Sequence, residues 1–167
     1  MGAGKVIAII GASISLASLF LSLFLPEWFS WYRASITDGS TTAGLYLTGF
    51  GNFISMGGFS PLTDIIYLTL IGAFVIMVGA ILLIIGAAKE IKAMGIIGGV
   101  LTLIGPILLI TSLVVGIYDW QGLIGDPNVF WGLSEVFPGV WLSWGVWIGF
   151  FMALVGGVLG LVGGATV

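Results

Sequence analysis

Residues 65–117 read IIYLTLIGAFVIMVGAILLIIGAAKEIKAMGIIGGVLTLIGPILLITSLVVGI. Two apolar runs, about 65–88 and 93–117, flank the short polar stretch Lys89-Glu90-Ile91-Lys92. Neither run contains Asp, Glu, Lys or Arg. Each exceeds the roughly 20 helical residues that cross a hydrocarbon core. Two such helices joined by so short a turn form an antiparallel membrane hairpin. Working outward, two further uncharged runs occupy about 6–25 and 142–162. The first is too long for a signal-peptide core, and Pro26-Glu27-Trp28 offers no small-residue cleavage site. The expected fold is an all-α integral membrane protein. It is a single domain over residues 1–167: a left-handed four-helix bundle with loops at about 26–64 and 118–141.

Composition gives the same picture. Of 167 residues, 59% are hydrophobic and 7% charged, whereas a soluble domain carries about 25% charged residues. So few charges cannot cover a water-facing surface, and membrane lipid is the first expected partner. The net charge is -3, with no basic cluster, which argues against nucleic acid. Cys and His are both lacking. That removes thiolate and imidazole chemistry, and no ionisable group lies within a span to relay protons. The expectation is a non-enzyme with no cofactor and no bound metal. The loop acids Glu27, Asp38, Asp64, Asp119, Asp126 and Glu135 match no calcium-loop spacing.

Lys5, Lys89 and Lys92 fall on one side of the four spans and Arg33 alone on the other. The positive-inside rule then predicts a multi-pass cell-membrane protein with both termini cytoplasmic. All seven Trp fall in the two outer loops or at the outer ends of spans. An interfacial belt alone would place some on each side. The one-sided set predicts a folded, aromatic-packed outer region, with Trp28, Trp31, Tyr46, Trp120, Trp131 and Trp141 as its contact surface.

Small residues recur at seven-residue spacing. Gly11 with Ser15 in the first span, Gly72, Gly79 and Gly86 in the second, Gly98 and Gly105 in the third, and Gly149, Gly156 and Gly163 in the fourth are the expected helix-packing positions. Small residues let backbones approach closely where lipid supplies no hydrophobic drive between helices. A second stripe, Gly145, Gly149, Ala153 and Gly157, has four-residue spacing and is a candidate ridge for another copy or partner. Pro106 predicts a kink in the third span. Residues 71–88 align with 148–165, pairing Gly79 with Gly156 and Gly86 with Gly163, which suggests a duplicated helical hairpin.

The first loop is too long for a mere connector. Its segment Leu45–Ile54 reads as a β-hairpin, a re-entrant segment or a surface-lying helix, and its glycines and β-formers favour strand. Ser60-Pro61 reads as N-cap and first turn of the second span. Gly125-Asp126-Pro127-Asn128 is a turn signal in the second loop.

Four spans, a long first loop, a tight turn and a shorter second loop resemble the claudin-type tetraspan superfamily. Pro26-Glu27-Trp28 followed by Gly44-Leu45-Tyr46 is similar to that family's Trp…Gly-Leu-Trp signature. Tyr46 stands at the second Trp, the spacing is short and the paired loop cysteines are missing. The resemblance implies a β-structured outer domain and lateral or cell–cell assembly. The expected function is that of a non-enzymatic structural or assembly protein. Two rivals are a cofactor-free accessory subunit of a larger respiratory or oxygenase complex and a small pore or membrane-shaping protein, for example a viral one. A pore would have only Thr69, Thr102, Thr111 and Ser112 to line it.

Overall fold

A computed structural model describes residues 2–58 and 64–167. In chain order the elements are α1 (Ala3–Phe24), α2 (Pro26–Phe29), β1 (Tyr32–Thr37), β2 (Thr42–Leu47), β3 (Phe53–Met56), α3 (Tyr67–Lys89), α4 (Lys92–Val115), α5 (Trp120–Ile124), β4 (Trp131–Phe137), β5 (Val140–Val146) and α6 (Ile148–Ala165). Helices α1, α3, α4 and α6 are long and apolar enough to cross a membrane. This is a multi-pass membrane protein. Ile71, Val78, Ile81, Ile107, Val155 and Val162 point away from the bundle and are exposed, as lipid-facing side chains must be.

An all-α architecture is incorrect. Strands from both loops join one five-stranded antiparallel sheet, in the order β3-β2-β1-β5-β4. The central pairing, β1 with β5, links residues about a hundred positions apart, so neither loop announces it locally. One missed strand hides inside apolar sequence. Leu142–Val146 reads as the start of the fourth span but forms the end of β5, and the helix begins at Ile148. Alternation around Pro138-Gly139 is the signal for this hairpin. Gly139 takes φ +78°, the left-handed position that follows Pro in a type II turn. Segment Leu45–Ile54 contributes the end of β2 and the start of β3, joined by a turn in which Gly51 takes φ +82°. Ser60-Pro61 lies outside the described residues, and α3 starts at Tyr67.

The four long helices form a square in which α1 lies beside α3 and α6, and α4 beside α3 and α6. Glycines set the seams. A Cβ on Gly72 would meet the backbone of Gly105, one on Gly79 the backbone of Gly98 and Thr102, and one on Gly86 the backbone of Gly95. On the opposite seam, Gly156 faces Gly11 and Ser15, and Gly163 faces Ala8. The aligned glycines of the two hairpins thus do the same job. Helix α3 lays its glycines on α4, and α6 lays the aligned ones on α1. Buried hydroxyls turn back on their own helices. Ser18 donates to the Ser15 carbonyl at 2.7 Å, Thr102 to Gly99 at 2.8 Å and Ser112 to Leu109 at 2.8 Å. The helix continues through Pro106, which is buried against the bundle.

At the end of the bundle away from the sheet, Glu90 takes a left-handed φ of 57° and closes the α3–α4 turn. Its carboxylate receives the Lys5 ammonium at 2.5 Å, and Gly4 packs on Thr166. Gly4, Lys5 and Thr166 and the tight turn are therefore together at one end, and the described parts of both loops at the other.

Candidate functional site

The sheet stands on the bundle through Trp31. Its ring is fully buried, and its indole N–H donates to the Ser18 carbonyl of α1 at 3.3 Å. Gly49 and Gly149 flank the ring so closely that a Cβ on either would strike it. The backbone is tied at the same point: Trp31 N–H donates to Leu47 O at 2.8 Å, Trp147 N–H to Trp31 O at 3.0 Å and Gly149 N–H to Ser30 O at 3.0 Å. One residue thus joins α1, β2 and the start of α6.

Beneath the sheet lies an aromatic core. Tyr32 and Trp120 meet at a tilt of 49° with ring centres 4.7 Å apart, and Tyr118 and Phe53 close on Trp120 at 5.2 and 6.2 Å. Asp119 caps the short helix that carries Trp120, its carboxylate accepting from Gly122 N–H at 2.8 Å. Tyr32 Oη donates to Val129 O at 2.6 Å, and burial pushes its hydroxyl pKa well above the ordinary tyrosine value. The indole N–H of Trp144 donates to Asn128 O at 2.6 Å, which anchors the turn at 125–128 to β5. Ser35 and Ser143 share a hydroxyl hydrogen bond of 2.9 Å where β1 meets β5.

The aromatic residues expected to form one contact surface therefore separate into two groups. Trp31, Trp120 and Tyr46 are buried and structural. Their flat rings suit a core where two loops must be locked together, and Trp31 also donates its indole N–H to Ser18 O. Trp28, Trp131 and Trp141 remain exposed. Their exposed company is Leu133 (65%), Val136 (40%) and Phe137 (70%), all on β4. Sequence reading passed over these three.

The second small-residue stripe is not a free ridge. Gly145 sits in β5, not in a helix, and a Cβ there would meet Trp131 and Phe130 O. Gly149 is covered by Phe29 and Trp31, Ala153 is fully buried, and Gly157 faces Leu103 of α4. The helices use these positions for their own packing.

Arg33, from the centre of the sheet, lays its guanidinium 4.1 Å from the centre of the Trp147 ring, an arrangement worth about 0.5–1 kcal/mol where partly exposed. Glu27, Trp28, Tyr46, Thr37 and Thr42 line the open cleft of about 360 Å³ beside it. Tyr46 has its hydroxyl pKa raised, first by burial and then by the Glu27 carboxylate, against a smaller lowering by Arg33. At the β1–β2 turn, Asp38 accepts from Thr41 N–H at 2.8 Å and Ser40 N–H at 3.1 Å. These bonds, with both hydroxyls, hold its carboxyl well below the usual range.

No protein-family model matches this chain, and a search among curated proteins finds no match.

Proposed function

We propose that this chain is a non-enzymatic membrane structural protein that assembles through its sheet, in the manner the claudin-type resemblance implies. It lies in the cell membrane with both termini and the Lys89–Lys92 turn cytoplasmic and the sheet outside. The clustering of Lys5, Lys89 and Lys92 at the end opposite the sheet supports that orientation.

One observation carries the assembly reading. Trp131, Leu133, Val136, Phe137 and Trp141 are exposed together on one hairpin, while the small-residue faces of the helices are occupied within the chain. Lipid accounts for exposed Ile and Val on the spans. It does not account for apolar side chains along a strand of the sheet, and contiguous apolar patches of this kind mark protein contact sites.

Cross-linking in native membranes tests the proposal. It predicts multimers of this chain, and recovery of isolated monomers alone would overturn it. Recovery of the chain only with larger, unlike subunits would favour the accessory-subunit reading instead.

A further inference from the structure

Strand β4 is an edge with unusual properties. It has seven residues, Trp131-Gly132-Leu133-Ser134-Glu135-Val136-Phe137, and among the described residues only β5 pairs with it. Soluble sheets blunt such edges with Lys, Pro, short strands or covering segments. Here the strand contains no Lys, Arg or Pro. Its one charge does not guard it, because Glu135 folds back and accepts from Gly139 N–H at 2.8 Å. A bulge between Glu135 and Phe137 bends only the end nearest the turn. The opposite edge differs. Strand β3 has four residues, and the adjoining Asn52 already bridges Ile65.

We infer that β4 pairs antiparallel with β4 of a second copy, joining two five-stranded sheets across a two-fold axis. The inference rests on the assembly reading above and names its partner and its contact. Three observations favour a second copy over an unlike strand. The unpaired backbone edge and its apolar side chains are self-complementary, as a two-fold contact requires. Among the described residues only one of the sheet's two edges is long and open, which suits a closed dimer and not an open chain of sheets. A two-fold axis through Leu133 sets the two Leu133 side chains opposite each other and each Glu135 opposite Trp131 of the other copy, so the two carboxylates are out of register. Apolar cross-strand pairs stabilise such a ladder, whereas like charges placed opposite destabilise it.

These 167 residues contain no Cys, so single cysteines report cleanly. Leu133→Cys, oxidised in native membranes, should give a disulfide dimer. Trp131→Cys and Glu135→Cys should not do so alone, but a mixture of the two should cross-link. Leu133→Lys added to both members of that mixture should reduce the dimer several-fold while the chain keeps its sheet circular dichroism. If Leu133→Cys stays monomeric while lysine cross-linking still finds multimers, the edge contact is wrong and the assembly reading survives. If both methods return monomers, both fail. A disulfide-independent adduct of β4 with an unlike protein would also overturn the second-copy proposal.

Discussion

Tyr32, at the start of the first strand, donates its hydroxyl to the Val129 carbonyl at 2.6 Å, across 97 positions of sequence. This bond locks the first loop to the second beneath the sheet. Tyr32→Phe should lower stability by about 1 kcal/mol, the usual net value of one such bond. The pH dependence has a definite sign. The folded-state pKa is raised by burial, so the contribution is complete below the unfolded tyrosine pKa of about 10. It is then lost as pH climbs toward the folded value. Thermal unfolding of the detergent-solubilised protein should steepen above pH about 10 in the native chain and less so in Tyr32→Phe. Equal alkaline slopes would contradict this.

The two loops form one sheet only if β1 and β5 are neighbours. Ser35 and Ser143 are directly paired across β1 and β5 with their hydroxyls in hydrogen-bond contact at 2.9 Å, so the two side chains face each other. The double variant Ser35→Cys/Ser143→Cys should oxidise within one chain, read as a mobility shift or by mass after proteolysis. Ser35→Cys/Ser55→Cys should not, because β2 separates those strands.

The glycine seams predict a contrast within one helix region. Gly11→Ala would drive a methyl into the backbone of Gly160 and Gly156, whereas Gly2→Ala meets nothing within 4 Å. Overpacking costs about 1–3 kcal/mol, partly offset by the roughly 1 kcal/mol helix preference of Ala over Gly. Gly11→Leu, with more volume, should lower the unfolding temperature clearly, and Gly2→Ala should leave it unchanged. Gly79→Leu should behave like Gly11→Leu, since Gly79 meets the Gly98 carbonyl.

Asp38 predicts an acid-resistant turn. Its folded pKa is depressed by the backbone N–H groups of Thr41 and Ser40, so its contribution is present above the ordinary carboxylate range. It is lost only as pH falls well below that range. Amide resonances of Ser40 and Thr41 should therefore stay in place through pH 4, where free carboxylates titrate. Movement of those amides with an ordinary carboxylate pKa would contradict the arrangement.

The helices were legible because about 20 uncharged apolar residues have one physical solution in lipid. Gly79, Gly86, Gly156 and Gly163 could be singled out because close backbone approach requires small residues. The sheet was less legible. Leu142 and Trp144 are apolar whether they open a helix or fill a strand, so hydropathy ran the fourth span through β5. The divergent fates of Trp28 and Trp31 were not local either. Three positions apart and chemically alike, they differ because Gly49 and Gly149, from distant parts of the chain, close over Trp31. The ridge through Gly149 and Gly157 failed as a partner surface for a related reason. Periodicity shows that a face is small, but not which neighbour covers it.

The most direct measurement is cysteine labelling of intact cells with a membrane-impermeant maleimide, again helped by the cysteine-free native chain. Ser40→Cys, at the β1–β2 turn, and Pro138→Cys, at the β4–β5 turn, should both be modified from outside. Lys89→Cys should react only after the cells are opened. Labelling of Lys89→Cys in intact cells, or of only one of the two turns, would contradict a single sheet built by both loops on the outer face.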